Sequence, residues 1–272
     1  MTRATELRRR FLDLHLAAPA DGPTPGILVM PNPFDVGSAK VLVECGAIAL
    51  ATTSAGFAGT LGRNDQQLDR DEVVEHARRM AAAVDVPVNV DSEDCYGESV
   101  EGVAETAAAL ADTDAAGFSI EDYDPRSGTI RSVDDAADRI AAAKEAGGDL
   151  VLTGRAEQHL YGGDDLDDTV ARLRTYRDAG ADCVYAPGVV DAADVARLVE
   201  EVGAPVNVLA LPGTPPVREL ARLGVARVSV GSLAAWAAYG AVKSMADELF
   251  GPGTSQYASG ALGSSFRARA FG

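Results

Sequence analysis

The chain has 272 residues, and 47% of them are apolar, which is enough to bury a full core in one large domain or two small ones. Intrinsic disorder is therefore excluded. Its 24 basic and 41 acidic side chains give a net charge of −17, and such a polyanion has no electrostatic reason to bind nucleic acid or an anionic membrane.

Short β-rich apolar runs alternate with segments of helical period along almost the whole chain. A short amphipathic helix near the N-terminus precedes eight predicted strands, at Ile27–Met30, Ile48–Thr52, Val86–Val90, Ala116–Ile120, Leu150–Thr153, Cys183–Tyr185, Val206–Leu209 and Arg227–Val230. Helices are predicted at Gly37–Cys45, Arg70–Ala83, Val100–Ala111, Val133–Ala146, Asp165–Asp178, Ala192–Val202, Val217–Leu223 and Leu233–Phe250.

Eight βα units without a linker rich in Pro or Ser predict an α/β protein with one (β/α)8 TIM barrel over residues 1–272. Residues 1–26 are predicted to be an N-terminal helical extension, and residues 251–272 a loose C-terminal tail. The competing Rossmann fold needs a glycine fingerprint after the first strand. Pro31-Asn32-Pro33 stands there instead, so we reject that fold.

The cysteine spacing and the acidic composition indicate the cellular location and the salt concentration in which the protein works. Cys45, Cys95 and Cys183 are widely spaced and form no CxxC pair, which argues against a disulfide framework and a structural zinc site. With no apolar run and cleavage site near the N-terminus, a cytoplasmic location is predicted. The 26 Asp, 15 Glu and only three Lys residues are typical of a protein kept soluble in concentrated salt, so a halophilic source is a hypothesis.

Acidic residues follow the third and fourth predicted strands, at the end of a barrel where active sites lie. Asp91 and Glu93 follow the third strand, and Glu121 follows the fourth. Repelling carboxylates without a neighbouring lysine favour a bound cation, and oxygen-only ligands favour Mg²⁺ or Mn²⁺ over zinc, with water and substrate completing the coordination. The alternative is that they are solvated acids in a chain with 41 acidic residues.

Other polar groups are predicted at the same end of the barrel. Arg155 follows the fifth strand and could hold a substrate carboxylate in a bidentate pair, or serve only as a counter-ion to Glu121 or Glu157. The turn Thr53–Gly56 offers backbone N–H groups to an oxyanion or carboxylate, although such turns are often only turns. Asn207, in the seventh strand, is a further candidate for substrate binding.

From about Leu28 to Val242 the chain resembles the isocitrate lyase/phosphoenolpyruvate mutase superfamily. The matching segments, in order, are Pro31-Asn32-Pro33-Phe34-Asp35, Thr52-Thr53-Ser54-Ala55-Gly56, Leu61-Gly62-Arg63-Asn64-Asp65, Val86-Pro87-Val88-Asn89-Val90-Asp91-Ser92-Glu93 with Tyr96-Gly97, Gly117-Phe118-Ser119-Ile120-Glu121-Asp122, Gly154-Arg155 and Ala179-Gly180-Ala181-Asp182. Each segment is weak alone, but their order and spacing indicate membership.

The resemblance implies roles for individual residues. Asp91, Glu93 and Glu121 match the Mg²⁺ acids, with Asp91 also beside the substrate, and Asp65 matches an acid next to it. Arg155 matches the substrate-binding arginine; with Asp65 and Glu121 it completes the predicted catalytic set. Ser54, Ala55 and Gly56 match the turn that holds a substrate carboxylate or oxo group. The resemblance also implies that the last helix is exchanged between subunits of a homodimer or homotetramer.

Two departures from the family pattern are visible. The glycine after the second metal acid is Cys95 here. The Lys-Lys/Arg-Cys-Gly-His loop of true isocitrate and methylisocitrate lyases is replaced by Tyr123-Asp124-Pro125-Arg126-Ser127-Gly128. The segment 122–131 is interpreted as a mobile lid that closes over the metal, and it could bring Tyr123, Asp124 or Arg126 to the substrate.

The predicted function is therefore a Mg²⁺-dependent lyase that breaks a C–C bond in a small 2-oxo or 2-hydroxy carboxylate through a metal-stabilised enolate. Oxaloacetate decarboxylation, phosphonate rearrangement and phosphonopyruvate hydrolysis remain alternatives, because they pass through related enolates. A barrel without activity that serves as a binding or scaffold protein is the non-enzymatic alternative. Efficient isocitrate cleavage is not expected, because the loop cysteine is missing.

Overall fold

The computed structural model describes residues 2–16, 24 and 26–272, and its centre is an eight-stranded parallel sheet. The strands are β1 (Leu28–Val29), β2 (Leu50–Ala51), β3 (Val88–Asp91), β4 (Gly117–Glu121), β7 (Val151–Arg155), β8 (Cys183–Tyr185), β9 (Val206–Leu209) and β10 (Arg227–Ser229). Their order is β1-β10-β9-β8-β7-β4-β3-β2. The backbone N–H of Ala51 donates to the carbonyl of Pro31 at 3.2 Å, which joins the two outer strands. The sheet closes, and the predicted (β/α)8 barrel is confirmed.

Helices surround the sheet at nearly the predicted positions. They are α1 (Arg3–Leu16), α2 (Val36–Glu44), α3 (Ser54–Thr60), α4 (Arg70–Ala83), α5 (Val100–Ala111), α6 (Val133–Gly147), α7 (Leu166–Asp178), α8 (Ala192–Val202), α9 (Val217–Arg222), α10 (Leu233–Phe250) and α11 (Ser264–Phe271). Asp69 begins α4 with a capping box in which its side chain and that of Glu72 bond each other's backbone N–H groups. None of the helices in the described part of the chain has both the length and the apolarity needed to cross a membrane.

Helix α1 covers the amino-terminal end of the barrel strands. Phe11 is fully buried in a cluster with Leu28 and Val151, and the Arg8 guanidinium donates to the carbonyl of Ala115 at 3.0 Å. The apolar side of this helix therefore belongs to the barrel core. The rest of the predicted extension, at 17–23 and 25, lies outside the described residues.

The main apolar core lies between the sheet and the outer helices. Phe118 of β4 and Leu152 of β7 are fully buried there, together with Leu110 of α5 and Tyr176 of α7. Small residues allow close approach, since a Cβ atom on Gly154 would lie 3.2 Å from Ile140 Cδ1. Inside the barrel several positions are polar instead, and they continue into the candidate site.

Two elements differ from the sequence-based expectations. The predicted turn Thr53–Gly56 is the start of a helix, α3, in which the Thr53 side chain accepts a hydrogen bond from the Gly56 N–H. The predicted loose tail contains the helix α11, whose Arg269 is paired with Glu44 of α2 at 2.5 Å. Glycine and serine in both segments hide the helical period, because they are poor helix formers.

The segment 122–131, predicted as a mobile lid, contains an antiparallel hairpin of β5 (Tyr123–Asp124) and β6 (Thr129–Ile130). Asp94 is almost fully buried and pairs with Arg126 at 2.7 Å and with Arg131 at 3.0 Å. The Tyr123 ring stacks on Tyr161 at 3.8 Å. Opening or closing of this segment would therefore have to break buried ion pairs.

Helix α10 leaves a broad apolar surface exposed. Trp236 is 46% exposed, Val242 57% and Phe250 88%, and only the start of the helix packs on α3. An exposed apolar area of this kind usually contacts a partner. The exchange of this helix between subunits stays a prediction.

We expect the protein to sediment as a dimer or tetramer in molar KCl, and Val242→Asp to shift it toward the monomer, since a buried charge would oppose association. Analytical ultracentrifugation of both proteins measures this. A wild-type protein that is strictly monomeric in high salt would refute the exchange.

Candidate active site

The ends of β3, β4 and β7 bring three charged residues together. In the sheet register, Asp91 pairs with Ser119 and Glu121 pairs with Arg155. A cavity of about 170 Å³ opens at this end of the barrel. Its outer part, called the acidic end below, is lined by Asp65, Asp91, Glu121, Arg155 and Glu157.

Arg155 binds three carboxylates at once. Its Nη1 donates to Asp91 Oδ1 at 2.6 Å, its Nη2 lies 3.2 Å from Glu121 Oε2, and its Nε donates to Glu157 Oε1 at 2.7 Å. The guanidinium also lies over the Tyr185 ring, 5.4 Å from its centre. The alternative role considered for Arg155, as counter-ion to Glu121 and Glu157, is therefore present in the structure, and Asp91 is added to it.

The first turn of α3 holds the second oxygen of Asp91. The Ser54 N–H and hydroxyl donate to Asp91 Oδ2 at 2.9 and 3.0 Å. Ser54 and Ala55 line the cavity, as expected for substrate-binding residues. Gly56 lies behind it, because its N–H already donates to Thr53 and a Cβ atom there would lie 3.0 Å from Phe34 Cβ. Gly56 does not line the cavity, and its role in substrate binding stays a prediction.

Glu93 lies in a strained loop after β3. Glu93, Cys95 and Tyr96 have φ values of 47°, 61° and 56°, a region that favours glycine. Glu93 Oε1 is buried without a hydrogen-bond partner among the described residues. Burial, and then the nearby Asp91, raise the pKa of the Glu93 carboxyl to about 8. This is the behaviour of a carboxylate whose counter-charge is missing.

Cys95 occupies the strained position where the family pattern has glycine. It is fully buried, and burial raises the pKa of its thiol well above the usual value. Its Sγ lies 3.6 Å from the Ser92 hydroxyl. A buried thiol with a raised pKa does not provide a thiolate near neutral pH, so Cys95 is unsuited to replace the missing loop cysteine.

The remaining acids and one amide complete the acidic end. Gln66 Nε2 donates to Glu121 Oε1 at 3.0 Å, while Gln66 Oε1 is buried without a partner in the described part of the chain. Burial raises the pKa of Glu121 well above its usual range, against the opposing effect of Arg155. Asp65 lies at the exposed rim, and its pKa is raised by desolvation and by Asp91.

The acidic end fits a hard divalent cation only in part. Its donors are all oxygens, and Glu93 Oε1 and Gln66 Oε1 are buried without a hydrogen-bond partner among the described residues. Within residues 2–16, 24 and 26–272, however, no three carboxylate, imidazole or thiol groups converge closely enough to hold an ion by themselves. An ion at Asp91, Glu93 and Glu121 would therefore need water or substrate oxygens as well.

The inner end of the same cavity, formed by Asn207, Arg227 and Ser229, is basic. Arg227 is 2% exposed, and its Nε donates to Asn207 Oδ1 at 2.9 Å. Asn207 Nδ2 donates to Ser229 Oγ at 2.9 Å. Asn207 therefore lines the cavity as expected, but both of its polar atoms are already bonded to the protein.

The comparisons with known proteins agree with this architecture. Residues 22–250 match the family model described as phosphoenolpyruvate phosphomutase. The chain belongs to the phosphoenolpyruvate phosphomutase family. A solved Burkholderia cenocepacia structure, whose lyase or mutase activity is a provisional assignment, has a TM-score of 0.91 and 41% identity over 99% of this chain and 96% of that one.

Two relatives with similar sequences each align with 75% of this family member. An uncharacterized Mycobacterium tuberculosis protein is 34% identical over 75% of this chain and 78% of its own. An oxaloacetate decarboxylase of Ectopseudomonas mendocina is 31% identical over 75% of this chain and 73% of its own. The superfamily assignment made from the sequence is thereby confirmed.

Several residues that line the cavity of this phosphomutase-family chain were not predicted from the sequence. Gln66 and Tyr161 line the cavity from loops with no distinctive pattern. Arg227 carried a usable signal, because a charged residue opens the otherwise apolar strand Arg227–Val230 and, like Ser229, points into the barrel. A buried arginine at such a position indicates an internal anion or polar network.

Burial of His15 makes the stability of this phosphomutase-family barrel depend on pH. Its Nδ1 bonds the Phe11 carbonyl at 2.7 Å and its Nε2 faces Arg227 Nη1 at 2.9 Å. Burial, and then Arg227, lower the pKa of His15 from 6.5 to about 3. Between these values the unfolded chain binds the proton and the folded chain does not, so stability falls as pH falls.

Below pH ~6 the neutral His15 lowers the free energy of unfolding by up to about 1.4 kcal/mol for each unit that the pH falls. We expect His15→Gln to remove this contribution. Urea unfolding of both proteins at pH 4, 5, 6 and 7 measures it. Parallel pH profiles for the wild type and the variant would contradict a neutral buried His15.

Proposed function

We propose that this protein is a Mg²⁺- or Mn²⁺-dependent carbon–carbon lyase that breaks a C–C bond in a small 2-oxo or 2-hydroxy carboxylate. The supporting observation is the acidic end, where Asp91, Glu121 and Glu157 surround a single arginine and Glu93 Oε1 lacks a partner among the described residues. When ionised, three carboxylates leave a net negative charge that one guanidinium does not balance. A divalent cation would balance it.

The residues suited to hold the ion are Asp91, Glu93 and Glu121, with Gln66 Oε1 as a neutral oxygen beside them. When bound, such an ion would stabilise the negative charge that develops on the substrate oxygen as the C–C bond breaks. Ser54 keeps Asp91 oriented through two hydrogen bonds. That orientation requires no movement during the reaction.

The chain's own groups have separate tasks. Arg155 holds three carboxylates in a fixed arrangement and keeps them from repelling each other. Asp65, at the rim and with a raised pKa, is suited to hold a proton and pass it to the carbon that loses its neighbour. The Tyr161 ring lines one side of the cavity, with Tyr123 stacked on it, and is suited to limit the entry of water.

Decarboxylation of oxaloacetate is the second candidate, because a relative at 31% identity carries that activity in its name. It is also C–C cleavage of a 2-oxo dicarboxylate, so the same groups would serve. Phosphonate rearrangement and phosphonopyruvate hydrolysis stay further alternatives, on the strength of the family model alone.

An NMR-monitored panel of 2-oxo and 2-hydroxy acids with Mg²⁺ in high salt tests the proposal. The appearance of pyruvate, glyoxylate or succinate above the rate with heat-inactivated protein would support a C–C lyase. With phosphonopyruvate included in the panel, its conversion to phosphoenolpyruvate would favour the mutase alternative. Failure to convert any acid, with or without the ion, would favour a barrel that only binds ligands.

A further inference from the structure

Within the described residues, Arg227 is a buried cation with no carboxylate paired to it. Its Nε, Nη1 and Nη2 face Asn207 Oδ1 at 2.9 Å, His15 Nε2 at 2.9 Å and Thr153 Oγ1 at 3.1 Å. All three partners are neutral acceptors, since the pKa of His15 is lowered. Across the described residues no carboxylate forms an ion pair with Arg227.

Arg155 and Arg227 line the same cavity but differ in the number of carboxylates that pair with them. Arg155 has three carboxylates, whereas Arg227 has none in the described part of the chain. The other titratable groups that act on Arg227 are Cys183, Tyr185 and Arg155 itself. Burial raises the pKa of the Cys183 thiol and of the Tyr185 hydroxyl, so both are neutral near pH 7, and Arg155 is a further cation. The cavity is therefore negative at its outer end and positive at its inner end.

A buried and unpaired charge costs several kcal/mol, so a protein that keeps one usually gains an anion there in a functional state. A guanidinium has five N–H donors, and three of them are used on Asn207, His15 and Thr153. One N–H remains on each of Nη1 and Nη2. Two such donors can bind both oxygens of one carboxylate.

We propose that Arg227 binds the distal carboxylate of the substrate, so that this protein acts on dicarboxylates which enter with that carboxylate first. The inference rests on the proposed function and deepens it. The reacting carbons then lie toward the acidic end, beside Asp91 and Glu121, and the distal carboxylate lies beside Asn207 and Ser229. Repulsion by the outer acids disfavours the reverse orientation.

The test compares succinate with succinamate, which has the same length and one carboxylate fewer. Isothermal titration calorimetry with Mg²⁺ present is expected to show at least a 10-fold tighter affinity of the wild type for succinate. Arg227→Met keeps the apolar stem and is expected to reduce that ratio to about 1. Arg8→Met is the matched control, because Arg8 is also a buried arginine but lies outside the cavity, and it should keep the wild-type ratio.

Equal affinity of the wild type for the two ligands would overturn the proposal, whether or not Arg227→Met folds. An unchanged ratio in a folded Arg227→Met protein would also overturn it. A crystal grown with succinate and bromide separates the two sources of an anion: a succinate carboxylate on Arg227 supports the proposal, and a bromide ion there with succinate elsewhere refutes it. Because binding is measured without turnover, a failure of the lyase activity would be recognised separately.

Discussion

Asp91→Ala is expected to lower turnover of the active oxo acid by about 10²- to 10³-fold or more, while the barrel stays folded. Asp91 is the acid that contacts both Ser54 and Arg155, at 3.0 Å or closer. Its removal takes away a candidate metal ligand and frees Arg155 to move toward Glu121 and Glu157. Steady-state kinetics over a range of Mg²⁺ concentrations measures the loss.

Asp138→Ala is the matched control for this variant, because Asp138 is exposed on α6 and does not line the cavity. It is expected to keep wild-type kinetics. Circular dichroism should show the same helix content in all three proteins. Retained activity in Asp91→Ala would contradict the assignment of this carboxylate to the site.

The second large expected effect is slow cleavage of isocitrate and 2-methylisocitrate. We expect kcat/KM for both to lie below about 10⁴ M⁻¹s⁻¹, the lower end of the usual range for enzymes. A general acid or base contributes about 10²- to 10⁴-fold in rate, and the loop that carries one in the true lyases is here the hairpin 122–131. Cys95 and Cys183 are buried, and the pKa of each thiol is raised, so neither supplies the missing group.

A smaller oxo dicarboxylate, measured under the same conditions, provides the comparison. A kcat/KM for isocitrate at or above that range would show that another residue replaces the cysteine. Tyr123 and Arg126 of the hairpin would then be the first positions to replace.

Most of the fold could be predicted from the sequence, because the strands and helices have different apolar periods. Regular spacing of the eight strands, together with Pro31-Asn32-Pro33 after the first, distinguished a barrel from a Rossmann sheet. Helix α3 was missed, since Ser54-Ala55-Gly56 is rich in small residues and Thr53 supplies the cap only in three dimensions. The sequence of 122–131 indicates a mobile lid because it is rich in charge and contains Pro125 and Gly128. Its ion pairs to Asp94 join distant parts of the chain, so no local pattern predicts them.

The elements of the site and part of its pairing could be predicted. Strand order places Asp91, Glu121 and Arg155 together, and the sequence indicates each of them at a strand end. Glu121 and Glu157 were candidate counter-ions of Arg155, whereas its contact with Asp91 depends on side-chain reach between β3 and β7, which no sequence pattern contains. The sequence does not predict the charge difference between the two ends of the cavity either, since that depends on which described carboxylates reach Arg155 and on none of them pairing with Arg227.

Metal dependence of turnover is the most direct test of the proposed lyase. The initial rate of C–C cleavage is measured by NMR with the acid selected from the panel, first in excess EDTA and then after Mg²⁺ is added back beyond the chelator. We predict no cleavage above background in EDTA and recovery of the full rate with Mg²⁺. An undiminished rate in EDTA would contradict a divalent-ion site at Asp91, Glu93 and Glu121.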